Sequence, residues 1–118
     1  MVIKLLNQAV LVGRLTRDPE VIETDNGKKV SNISLAIPRN YKNAEGVYET
    51  DFIDVTLWNG VAENTAEYCK KGDIVGVKGR IQADSFEKDG EKKHITKIIA
   101  EKLTFLSSKA KEEVEPAR

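Results

Sequence analysis

The chain has 118 residues, 40% of them hydrophobic and 32% charged, with 19 Lys and Arg balanced by 19 Asp and Glu. That length supports one domain with a single core, and no apolar run is long enough to span a bilayer. A formal net charge of zero excludes nucleic-acid binding by bulk charge but leaves room for a local basic face. The single cysteine excludes an internal disulfide and suits a reducing cytoplasm. The opening Met1-Val2-Ile3-Lys4-Leu5-Leu6 is too short for a signal peptide and is apolar enough to pair at a subunit edge.

Gln8 to Leu15 reads as the first strand, with Gly13 marking a bulge or sharp bend. Asp18-Pro19 breaks it, Val21-Ile22-Glu23 makes a short strand, and Asn26-Gly27 turns the chain. Lys29 to Ile37 is the next long strand. Its Ser31, Ile33, Leu35 and Ile37 share one face, while the small Asn32, Ser34 and Ala36 on the other leave room for a flat ligand or another backbone. Pro38 is expected to end that strand. Arg39 to Thr50 then forms a loop or hairpin tip with two tyrosines, an arginine and a lysine around Gly46.

The stretch Phe52-Ile53-Asp54-Val55-Thr56-Leu57-Trp58 organises the rest. Alternation sends Ile53, Val55 and Leu57 to the core and Phe52, Asp54, Thr56 and Trp58 the other way. A solvent face with a large ring at each end implies a cover. Either a partner strand or subunit supplies it, or a ligand with flat apolar faces does.

A helix is expected over Val61 to Lys70, capped by Asn59, buried through Val61, Ala62, Thr65, Ala66 and Cys69, and stopped at Gly72. The strand after it has an apolar face of Val75, Val77, Gly79, Ile81 and Ala83. Its other face carries Lys78, Arg80, Gln82, Asp84 and Phe86. Asp89-Gly90 turns a charged hairpin, and His94 to Leu106 is the last strand, interrupted by Lys97 and Glu101. Residues 1–106 thus form one domain, and 107–118 read as a short disordered tail. Three strands, a helix and two strands, without βαβ alternation, point to an all-β fold with one short helix. The expected architecture is a five-stranded Greek-key barrel of the OB type.

The chemistry-bearing constellation is aromatic and basic: Tyr41, Phe52, Trp58 and Phe86, interleaved with Arg14, Arg39, Lys78 and Arg80, and with Gln82 beside them. Any base can stack on a ring, worth roughly 1–3 kcal/mol per base, while phosphates follow the cations. Such a surface binds single strands without reading sequence. The residues alone leave open the alternative, in which partner surfaces cover Phe52 and Trp58 and Phe86 packs under a loop. Asp54 is expected to pair with Lys78 or Arg80 across the sheet. The Arg14-Leu15-Thr16-Arg17-Asp18 run is either a phosphate contact or a turn held by an Arg–Asp pair. Cys69 reads as a small core residue and His94 as an ordinary exposed one, so there is no metal site, cofactor site or catalytic constellation to propose.

The run Asn7-Gln8-Ala9-Val10-Leu11-Val12-Gly13-Arg14-Leu15-Thr16-Arg17-Asp18-Pro19-Glu20 resembles the opening of bacterial single-stranded DNA-binding proteins. Asp51-Phe52-Ile53-Asp54-Val55 with Trp58 matches the same family in order. So do Ala62-Glu63-Asn64 through Tyr68 to Lys71-Gly72, Gly76 to Gln82, and Ala100-Glu101 with Phe105-Leu106. The resemblance implies an OB fold, a cytoplasmic, nucleoid-associated homotetramer and single-stranded DNA wrapped over the subunits in replication, recombination and repair. It implies no catalysis and no metal, and it places the family's stacking positions on Tyr41, Phe52, Trp58 and Phe86. Many relatives end in an acidic, hydrophobic tip that recruits replication and repair proteins. Here the chain ends Glu115-Pro116-Ala117-Arg118, whose terminal arginine has the wrong sign for that tip, so replication and repair proteins are expected as partners only by a route other than that motif. The rival expectations are an OB-fold primosome-type accessory protein acting on other proteins, and a small nuclease. RNA is a subsidiary ligand, since stacking does not test the 2′-OH.

Overall fold

The computed structural model describes residues 6–108. Its elements are β1 (Ala9–Leu15), β2 (Ile22–Glu23), β3 (Lys29–Lys42), β4 (Tyr48–Trp58), α1 (Asn59–Tyr68), β5 (Ile74–Lys88) and β6 (Glu91–Ser107). The sheet runs β1-β5-β6-β4-β3-β2, and a further β1–β3 pairing closes it. The result is the OB-type barrel of five long strands, with β2 as a two-residue hem on β3. All pairings are antiparallel except β4–β6, whose parallel register is bridged by the α1–β5 connection.

Alternation fills the barrel as the sequence requires. Leu15, Ile33, Leu35, Val55, Leu57, Val75, Val77, Ile98 and Ala100 are buried inside; α1 adds Ala62 and Thr65, and Cys69 follows just past its end. Cys69 sits in the core; burial, then the nearby Asp73 carboxylate, pushes its thiol pKa up. The barrel closes through two glycines. A Cβ on Gly13 would stand 2.8 Å from Ile37 Cγ1, and one on Gly79 would run into the Ile99 carbonyl. Gly13 therefore marks a close approach of β3, and its pairing with β5 continues without a bulge. Irregularities lie instead on β6: Lys78 faces Lys102 and Gly79 faces Ala100, leaving Glu101 as an extra residue, and Ile74 faces Ser107 while Val75 faces Phe105, leaving Leu106 as another.

The strands outrun the barrel. Pro38 does not end β3. It pairs with Thr50, the register then shifts, and Lys42 pairs with Tyr48, so only 43–47 is left as a tip. A proline fits there because an irregularity in the ladder spares its missing N–H. Asn43 organises the tip: its side chain accepts from the Glu45 and Val47 amides, and its amide donates to the Val47 carbonyl. β5 and β6 form a second extension. Ile81 and Ala83, expected in the core, are exposed, because the pair has left the barrel beyond Gly79. The parallel pairs Val55–Ile98 and Thr56–Ile99 set both extensions at the same end of the barrel as two arms.

The helix begins and ends two residues earlier than expected. Trp58 occupies the capping position with no side-chain bond, while Asn59 lies in the left-handed region and its Oδ1 accepts from the Lys29 amide at 3.2 Å. Gly72 has φ 93° but serves the turn into β5, since Cys69 is already extended. Residues 1–5 and most of the expected tail, 109–118, lie outside the described residues.

Candidate nucleic-acid interface

The outer face of β4 carries Phe52, Asp54, Thr56 and Trp58, as alternation demands. Phe52 is 67% exposed and Trp58 37% exposed, while Val55 and Leu57 between them are fully buried. Strand pairing sets what lies beside them. Phe52 faces Ala36 on β3, and Ala36 faces Arg14 on β1, so a ring, a small residue and a guanidinium stand in one row. Two rows along, Asn32 faces Thr56, Thr56 faces Ile99 on β6, and Ile99 faces Arg80 on β5. Thr56 Oγ1 donates to Asn32 Oδ1 at 2.9 Å, which fixes this part of the wall. The floor between the rings is therefore flat, as Asn32, Ser34 and Ala36 promised. Arginines flank it on both sides. A hollow of about 420 Å³ beside it is lined by Val12, Arg14, Ala36, Pro38, Thr50 and Ile74.

The cations differ in what already holds them. Arg14 Nη1 donates to the Gly72 carbonyl at 2.7 Å, and Arg17 Nη2 to the Asn32 carbonyl at 3.1 Å. Asp18 accepts from the Lys71 amide at 2.7 Å and does not pair with Arg17. The run after β1 is thus a structural turn braced to other elements. Arg80 Nη1 donates to the neutral Gln82 Oε1 at 2.8 Å and makes no ion pair among the described residues, although its charge is felt by the Asp84 carboxyl. Lys78 is exposed between Val10 on β1 and Lys102 on β6, without a carboxylate partner among the described residues. Asp54 lies opposite Ser34 on β3, and β6 separates β4 from β5, so the expected pairing with Lys78 or Arg80 does not form.

Phe86 is 48% exposed on the β5–β6 arm, on the strand face of Arg80 and Gln82. That arm is braced by Asp84, which Lys97 Nζ meets at 3.1 Å and Gln82 Nε2 at 3.1 Å; these donors, Lys97 first, hold its carboxyl below the usual 3.8. Tyr41 and Arg39 are not brought to Phe52's face. Asp51 and Ile37 face each other on the side opposite Phe52, and Arg39 follows Ile37 there. Past the register shift, Lys42 faces Tyr48 on Phe52's side, which leaves Tyr41 on the other. Tyr41 is 60% exposed. Arg39 is engaged by Asp51 and Glu49, which push its pKa up. The residues not singled out from sequence are Tyr48, whose ring has Lys42 Nζ 5.6 Å from its centroid, and Lys97. The signal for Lys97 was present: it breaks an otherwise apolar run.

Among the described residues, no group of three or more His, Cys, Asp and Glu could hold a metal ion, and no helix is long and apolar enough to cross a membrane.

Comparison with known proteins agrees with this geometry. The chain is 45% identical over 109 residues to single-stranded DNA-binding protein B of Bacillus subtilis, covering 92% of this chain and 96% of that one. It is 47% identical over 106 residues to the single-stranded DNA-binding protein of Oceanobacillus iheyensis, covering 89% of this chain but only 66% of the longer relative. A solved structure, the Plasmodium falciparum SSB complex with ssDNA, superposes with a TM-score of 0.79 at 27% identity, covering 91% of this chain and all of that one. The single-strand binding protein family model matches residues 6–106. On its sequence and on its barrel alike, the chain belongs to the single-strand binding protein family.

Proposed function

We propose that the protein is a non-enzymatic binder that coats and protects single-stranded DNA without reading its sequence, in the cytoplasm, during replication, recombination and repair. One observation carries this: Phe52 and Trp58 project from one strand over a floor of small residues, with Arg14 and Arg80 at its sides. Bases stack on the rings, and phosphates run past Arg80, Lys78 and Arg14, with Gln82 and Phe86 extending the path along the β5–β6 arm. The names of the relatives and of the superposed complex support the reading.

The working unit is a homotetramer. Support comes from β1, whose second edge meets β3 only at Arg14 and Leu15 and whose Val10 and Val12 are exposed. An open strand edge with apolar side chains calls for a second chain. Light scattering is expected to give four times the 13.1 kDa chain mass; a monomer at micromolar concentration would remove the tetramer.

Titration with oligo-dT tests the function. Affinity should fall with salt, with a slope of about −0.7 per phosphate neutralised on a single strand. Negligible affinity for oligo-dT, with firm binding to a replication protein, would favour an accessory role instead.

A further inference from the structure

The β3–β4 arm has a gap in its ladder. Pro38 pairs with Thr50, the next registered pair is Lys42–Tyr48, and the register shifts between them. Pro38 brings no N–H to this stretch. Side chains cross the gap instead. Arg39 Nε donates to both Asp51 oxygens at 3.3 and 3.1 Å, Nη2 donates to Asp51 Oδ1 at 2.9 Å, and Nη1 donates to Glu49 Oε2 at 3.1 Å. Every nitrogen of the guanidinium is thus engaged by a carboxylate. A fork of this kind fixes orientation as well as distance, which a lysine ammonium does not. The hydrogen bond from Arg39 is the main cause that holds the Asp51 carboxyl below its ordinary 3.8, so the fork is fully ionised at neutral pH.

Its location gives the fork a consequence. Asp51 precedes Phe52 in the chain and points to the opposite face; Tyr41 lies within the gap, and beyond it lie the Lys42–Tyr48 pair and the Asn43-centred tip. The cation is turned away from the exposed ring and already neutralised.

We propose that Arg39, Asp51 and Glu49 form a splint across the broken ladder, and that Arg39 is a positioning residue for Phe52 and the arm rather than a phosphate contact. This rests on the single-stranded DNA reading above. It separates the cations into Arg80, Lys78 and Arg14, which meet the strand, and Arg39, which shapes the arm.

The test compares Arg39→Gln, Arg39→Lys and Asp51→Asn with the unaltered protein. Fluorescein-labelled oligo-dT is titrated at several salt concentrations, and amide exchange of the free proteins is followed at Asn43 and Val47. Each variant is expected to bind about fivefold more weakly, the scale of an exposed ion-pair network. The salt slope should stay unchanged, exchange at the two tip amides should quicken, and lysine should not rescue. A slope shallower by about 0.7 in Arg39→Gln would make Arg39 a phosphate contact and overturn the proposal. Tighter binding by Asp51→Asn would overturn it too, since Asp51 would then be masking a cation. Unchanged tip exchange in all three variants removes the splint whatever the binding shows. Failure of the unaltered protein to bind oligo-dT sinks the nucleic-acid reading and the positioning role with it, and leaves the exchange comparison to decide the splint by itself.

Discussion

The barrel wall and the arms that extend from it are made of the same strands but held together differently. In the wall, each strand turns one apolar face inward, and Leu35, Val55, Leu57 and Val75 are fully buried. In the arms both faces meet solvent, and Ile81, Ile95 and Phe86 remain exposed. What fixes the arms is polar: the Arg39 fork on one, and Asp84 held by Lys97 and Gln82 on the other. Burial makes a rigid, insensitive body; polar braces make extensions whose rings stay available to a ligand. Phe52 lies at the junction, anchored through Ala36 and open on its far side.

The comparison breaks most visibly in the wall. Leu57→Ala opens a void opposite the small Ser31 and should cost ~2–5 kcal/mol of stability, read as a lower midpoint in urea. An equal loss from Phe52→Ala would erase the distinction, since that ring is already mostly in water. Phe52→Ala and Trp58→Ala should instead weaken oligo-dT binding by ~1–3 kcal/mol per lost stack while leaving the urea midpoint nearly in place. Phe86→Ala should act in the same sense.

Acid sharpens the contrast in the arms. Asp51 and Asp84 both have carboxyls lowered from 3.8, by Arg39 and by Lys97 and Gln82 respectively. A lowered folded-state value contributes stability that is complete above 3.8 and is lost as pH falls through the folded values beneath it. Both groups are solvent-exposed, so the effect is small and local. Below pH about 4, NMR shifts of the arm residues should move toward disordered values before those of the barrel core. Simultaneous loss of both would show that the arms have no separate brace.

Period-two alternation made the barrel and half of the interface legible. It assigned the two faces of β4, because that strand is regular from Phe52 to Trp58, although Thr56 on the outer face is itself buried. It was cut short at Pro38, where a local breaker rule was overridden by the hairpin. Carried on from Ile37, period two puts Arg39 and Tyr41 on the face away from Phe52, where they stand. The Arg39–Asp51 fork joins residues 12 apart, so it emerges only once the tip at 43–47 is known. The early start of α1 was hidden because Asn59 takes a left-handed backbone and bonds β3 instead of capping. Asp54 was mispaired because sequence order does not say that β6 lies between β4 and β5.

The central claim is that the outward rings of β4 stack on bases. Trp58 is the only tryptophan in the chain, so its fluorescence reports from that face alone. The direct measurement titrates the protein with oligo-dT and with an abasic oligomer of the same length, which keeps the phosphates and sugars but has no bases. Quenching by oligo-dT, with far weaker binding and no quenching by the abasic strand, is the predicted result. Equal affinity and equal quenching by the two strands would contradict it.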